Sequence, residues 1–231
     1  MNTKLKEELF EILKQKIESN TLKDLAHDSG HAYRVLNLAV QIAKKEKADI
    51  DIIVPAALFH DSIVYKGTEK YPLEHVESVD FARNILESIK DYPKEKIEKV
   101  AYAITICSYS KGITPITKEA MVLQDADLLE STGAIGIMRS FASAVKMHAV
   151  SLYNIEDPFC ERRVSDPSKY TLDLFFQRLM RISYRLHTQT AKKIAKRRDR
   201  FLKLYISELR KELEETSRGI DVIYLFEKTE K

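Results

Sequence analysis

Apolar residues recur along most of this chain at intervals of three and four, the period of a helix with one face turned inward. Residues 3–19 carry Leu5, Leu9, Phe10, Leu13 and Ile17 on such a stripe. Residues 24–30 read as a loop, within which Asp28 is placed to cap a helix reaching about 45 with Val35, Leu38, Ala39 and Ile42 inward. Asp51 is placed to cap the next helix, whose Pro55 is tolerable only near the first turn. That helix is apolar from Ile52 to Phe59 and closes on His60-Asp61. A loop is predicted at 62–71, holding Lys66, Gly67 and Lys70, and helices at about 73–90 and 94–109. Lys111-Gly112-Ile113-Thr114-Pro115 breaks the pattern, and Thr117 caps a helix that runs past Asp127. The small residues of Gly133-Ala134-Ile135-Gly136-Ile137 suit close helix approach and divide that helix from another reaching Val150. A second loop is predicted at 154–168, then a long helical stretch from 169 to about 215 broken near His187. Only Ile220 to Phe226 hints at a strand, so the expected fold class is all-α.

Composition narrows the function classes. The chain has 231 residues, 44% hydrophobic and 32% charged, with six glycines and six prolines, which suits an ordered helical domain with a sizeable core. A net charge of +3 argues against bulk attraction to nucleic acid or membrane. Cys107 and Cys160 form neither a disulfide framework nor a CxxC metal spacing. The N-terminus lacks an apolar signal core and no stretch is long enough to cross a bilayer, so a cytoplasmic location is expected. Lys192, Lys193, Lys196, Arg197, Arg198 and Arg200 form the one basic cluster; acids follow it and no aromatic interleaving marks a base-stacking surface, so it reads as a solvated helix face. Tyr170, Phe175, Phe176, Tyr184, Phe201 and Tyr205 fall at spacings that fit the core of a helical pair.

Chemistry concentrates at four positions. His60 and Asp61 close a greasy helix, His31 lies on an earlier helix and Asp127 on a later one. Two imidazoles and two carboxylates suit a borderline ion such as Mn, Fe, Ni, Co or Zn better than Mg, which prefers oxygen ligands throughout. Taken singly each has a plainer reading: a histidine on an apolar face is most often a hydrogen-bonded core residue, and Asp127 fits a helix-terminal charge. Asp125 and Asp127 are two residues apart and face nearly opposite ways on a helix, so only one should reach the ion. Arg34, one turn after His31, reads equally as a partner of a ligand carboxylate or as a structural ion pair; His75, His148 and His187 read as surface or packing residues.

His31-Ala32-Tyr33-Arg34-Val35, Ala56-Ala57-Leu58-Phe59-His60-Asp61 and Ala126-Asp127-Leu128-Leu129 together resemble the HD superfamily of metal-dependent phosphohydrolases. Gln124-Asp125-Ala126-Asp127, Gly133-Ala134-Ile135-Gly136 and Glu156-Asp157-Pro158-Phe159 extend the likeness to the YedJ-type stand-alone proteins, over about residues 24–215. The resemblance implies one HD domain over 1–231, with a metal core at about 24–130 and a C-terminal helical extension at about 131–215. It implies ligation of one divalent ion by His31, His60, Asp61 and Asp127, with Asp125 in reserve, and hydrolysis of a phosphate ester or anhydride, a nucleotide ahead of others and pyrophosphohydrolysis ahead of phosphatase action. A ligand carboxylate, Asp61 or Asp127, would also accept a proton, and Lys66 and Arg139 would neutralise phosphate charge. Departures narrow the subtype: only His75 lies between His60-Asp61 and Asp127, Cys107 sits where related proteins tend to have histidine, and Val64 and Leu128 replace a Glu and a basic residue seen in relatives. The rival readings are a non-phosphatase enzyme of this type, an oxygenase or hydratase, and a non-catalytic regulatory protein stabilised by its ion. Oligomeric state has no signature in the chain.

Overall fold

Helix α3 (Ile50–Phe59) is buried from Ile52 to Phe59 and is the axle of the fold. A continuous apolar run cannot leave any face in water, so other helices surround it. The structure is a computed structural model describing residues 3–18, 28–63, 73–108, 112–146 and 149–217. Within them α3 is packed by α1 (Thr3–Glu18), α2 (Ser29–Glu46), α4 (Glu74–Ser88), α5 (Ile97–Thr105) and α6 (Lys118–Leu129). Helices α7 (Gly133–Lys146), α8 (Asp173–Gln177) and α9 (Gln189–Ser217) follow, with a 3-10 turn at Leu179–Tyr184. The described residues contain no strand, only one isolated parallel bridge between Ser151 and Tyr170. None of their helices is long and apolar enough to cross a membrane.

Several boundaries follow from caps. Asp28 accepts the His31 N–H at 2.7 Å and starts α2, and Thr117 accepts from Ala120 at the start of α6, both as predicted. At α3 the cap is Asp49, not Asp51: Asp49 accepts the Asp51 N–H at 2.9 Å, while the Asp51 carboxylate pairs with Lys96 at 2.8 Å. Two extra residues at the front therefore leave Pro55 inside the helix rather than near its start. A proline cannot donate to the carbonyl four residues back. Here that carbonyl belongs to Asp51, and the buried Tyr92 hydroxyl donates to it at 2.8 Å instead. The contact tolerates a proline the sequence pattern alone would disfavour.

Between α6 and α7, Gly133 takes a left-handed φ of +63° and its Cα faces the Arg198 side chain. Any Cβ on Gly136 would stand 2.6 Å from the Ser131 carbonyl carbon, so these small residues serve a tight turn between consecutive helices. Arg198 donates to Leu129 O at 2.6 Å, capping the C-terminal end of α6, where a cation is favoured. It is thus an exception to the solvated basic face read from the sequence.

A smaller apolar cluster, Leu172, Phe175, Leu179 and Leu202, joins α7, α8 and α9. Phe175 stacks on Tyr205 with centroids 5.8 Å apart. Two predicted core aromatics fall outside it: Tyr184 is 88% exposed and Phe201 is exposed as well, because the 3-10 turn and the outer face of α9 point them outward. Residues 169–172, predicted helical, are still part of the loop. Lys66, Gly67, Lys70, His27, Lys111, His148 and the segment 220–226 lie outside the described residues, as do the side chains of Phe10, Leu13 and Ile17.

Candidate metal centre

Three helix ends meet at one point. His31 is the third residue of α2, His60 and Asp61 follow the last turn of α3, and Asp127 is in the last turn of α6. The two C-terminal ends carry partial negative charge and favour a cation. The imidazoles form the floor, almost fully buried, and the carboxylates of Asp61 and Asp127 form a partly exposed rim. His31 Nε2 lies 3.5 Å from an oxygen of each carboxylate; His60 Nε2 lies 3.4 Å from Asp61 and 3.9 Å from Asp127. These gaps leave the buried His60 Nε2 without a hydrogen bond. They are the separations of atoms that can share a central ion at about 2.0–2.2 Å each. Ligand atoms of His31, His60 and Asp127 lie within 4.8 Å of one another.

His60 shows why the set fits a cation. Its Nδ1 meets the Ala57 carbonyl oxygen at 2.9 Å, an acceptor only, so Nδ1 carries the proton. Its Nε2 then presents a lone pair inward, and this buried atom makes no hydrogen bond. A buried acceptor left unmade is costly, and an ion among these donors would satisfy it.

The sequence left Asp125 and Asp127 as rivals for the last position. Asp125 is engaged on the other side of α6. Its carboxylate accepts the N–H groups of His187 and Thr188 at 2.8 and 2.7 Å and the Thr188 hydroxyl at 2.7 Å, tying down the start of α9. Burial pushes its pKa up against those donors. His187 also bonds Gln124 at 2.6 Å, so it is a packing residue.

Sequence reasoning missed Glu130. It follows α6, is 1% exposed, and accepts from Arg34 Nε at 2.7 Å with His31 Nδ1 at 3.4 Å from the same oxygen. Arg34 therefore pairs with this acid and not with a candidate ligand. Burial opposes the charge of Glu130, but its bonds to His31 and Arg34 outweigh that and hold its pKa below the ordinary value. The available signal was spacing: Glu130 is three residues after Asp127, on the same helical side. Burial also opposes protonation of His31, yet Asp61 and Glu130 prevail, with Arg139 acting against them, and its pKa is raised. Arg139 lies on α7. Lys66 cannot be placed, being outside the described residues.

A family model for the HD domain matches residues 29–132, the span that holds all four converging residues. The Bacillus subtilis (strain 168) protein YpgQ is 33% identical over 192 residues, 81% of this chain and 84% of that one. The crystal structure of Bacillus subtilis YpgQ in complex with ADP is similar at 30% identity and a TM-score of 0.68, covering 90% of this chain and 95% of that chain. Lin1889 from Listeria innocua is similar at 31% identity and a TM-score of 0.67, covering 93% and 98%.

Proposed function

The chain belongs to the HD-domain family, and from that premise we propose that it is a metal-dependent phosphohydrolase acting on a nucleotide. The observation that carries this reading is the convergence of His31, His60, Asp61 and Asp127 around a buried His60 Nε2 that makes no hydrogen bond. One divalent ion, Mn, Fe, Ni, Co or Zn ahead of Mg, is the occupant this donor set suits. When bound, such an ion polarises a phosphoryl oxygen and lowers the pKa of water.

The chain's own residues supply the rest. His31 and His60 are locked in the floor, so their positions need no reorganisation when substrate arrives. Asp61 and Asp127 stand at the accessible rim, and each has a second oxygen able to take a proton from an attacking water. Arg139, on α7, keeps its expected role of neutralising substrate phosphate charge. Lys66 keeps the same role as an expectation from its place after His60-Asp61. The nucleotide preference is supported by the ADP bound to the similar YpgQ. Residues 1–231 are read as one domain, since α9 packs on α2, α6 and α7.

A screen of nucleoside mono-, di- and triphosphates with each metal in turn tests the reading, with phosphate and pyrophosphate release measured separately. Turnover is expected with Mn or a neighbouring transition metal. Asp127→Asn should lower it by at least about 100-fold while keeping the helical circular dichroism. Wild-type protein that takes up a metal yet hydrolyses none of these compounds would rule the phosphohydrolase out.

A further inference from the structure

Both histidines of the site present Nε2 inward, but for different reasons. His60 is set by its own helix, through a carbonyl three residues away. For His31 the Nδ1 contact is remote in sequence. Its Nδ1 faces a carboxylate 99 positions along the chain, and that carboxylate is clamped through the same oxygen by Arg34, 96 positions away from it. We propose that Glu130 is a positioning residue: held by Arg34, it accepts a hydrogen bond from the Nδ1–H of His31, which keeps the ring proton on that nitrogen and so aims the Nε2 lone pair at the point shared with His60, Asp61 and Asp127.

Two physical arguments support this. An ionised carboxylate only accepts, so the nitrogen facing it must donate, and a neutral imidazole then has its lone pair on the other nitrogen. A buried charge is also a poor stabiliser. An apolar residue of similar volume in this buried position, between the end of α6 and the start of α2, would serve packing as well or better. A carboxylate in that place is accounted for by the imidazole it orients, and partners of this kind raise the affinity of a histidine for its metal.

The inference rests on the metal-site reading above, and the experiment separates the two. Mn²⁺ binding is measured by calorimetry on wild type and Glu130→Gln, and the His31 tautomer is read by ¹⁵N NMR on metal-free wild type at pH 9, assigned by its loss in His31→Gln. The Gln amide can still accept through oxygen, so the fold should hold, but it lacks the charge and can turn its NH₂ toward the ring. Mn²⁺ affinity is expected to fall about 10–100-fold in Glu130→Gln, and wild-type His31 is expected to carry its proton on Nδ1. Unchanged Mn²⁺ affinity in a folded Glu130→Gln, or a wild-type His31 with its proton on Nε2, would overturn the proposal. If Glu130→Gln fails to fold, the wild-type tautomer decides alone. Wild type that binds no divalent metal would instead defeat the metal-site reading.

Discussion

The region around α3 and the region from 149 to 177 are both ordered, but by opposite means. Around α3, order comes from apolar burial: Phe59, Ile53, Leu58, Leu123 and Leu129 are fully enclosed, each stabilising by about 1.5–3 kcal/mol. From 149 to 172 there is no helix, and order comes from charge and amide donors. Asn154 Oδ1 accepts the N–H groups of Glu156 and Asp157. The Asp157 carboxylate accepts those of Glu161, Arg162 and Arg163 at 3.0, 2.8 and 3.1 Å. Arg163 then forks onto the buried Asp173 at 2.5 and 2.7 Å, and Asp173 also accepts the Asp166 N–H. Burial is indifferent to pH and tolerant of exchange among similar residues. A polar pin is neither, since removing one partner leaves the other exposed to the cost of its own desolvation.

The largest expected difference comes from Asp173→Ala. It strands Arg163 and the Asp166 N–H, and should cost about 3–5 kcal/mol of stability locally. Limited trypsin digestion should then cut at Arg162 and Arg163 far faster than in wild type, while Mn²⁺ affinity changes by no more than a few-fold. A parallel collapse of Mn²⁺ binding would show that the two regions form one cooperative unit.

Acid should act in the same direction more gradually. Burial alone would raise the Asp173 pKa, but the Arg163 pair and the Asp166 N–H overcome it and depress it; N–H donors likewise depress Asp157. A depressed carboxyl contributes stability that is complete above its unfolded pKa, about 3.9, and is lost as pH falls through the folded value. Hydrogen-exchange protection factors in 149–172 should therefore be flat from neutral pH to about 4 and fall below it, ahead of those of α3. Loosening of α3 first would break the contrast.

The smallest effect belongs to the apolar region's own polar contact. Tyr92→Phe removes the donor to the Asp51 carbonyl beside Pro55, and should lower stability by about 1–2 kcal/mol in urea melts with no change in Mn²⁺ binding. A neutral result would mean that water replaces the hydroxyl.

Much of the helical region was readable from the chain. The stripes of α2, the caps Asp28 and Thr117, and the stop before Gly133 depend on neighbours within four residues, where periodicity and side-chain preference act directly. The polar loop was readable only as a loop, because its order depends on Arg163 finding Asp173 and not on any repeat. At the site the same division holds. His31, His60 and Asp61 with Asp127 stand out as ionisable residues in apolar company, and they do converge. Glu130 escaped notice because an acid after a helix is usually a surface charge; Arg34 was read as an ion-pair former, but its partner lies 96 residues on and could not be named from the chain. Asp51, Tyr184 and Phe201 were misread for the reverse reason: their residue types fit the local pattern, and the packing put them elsewhere.

By itself, then, the sequence determined the helices, the buried axle at α3 and the residue types able to hold a cation, all set by interactions within a turn or two of chain. Only the tertiary structure decided that Asp125 braces α9 while Asp127 faces the imidazoles, that Tyr92 serves the carbonyl opposite Pro55, and that Glu130 stands behind His31. Those choices depend on distances between residues tens of positions apart, and such distances exist only once the apolar faces have closed on one another.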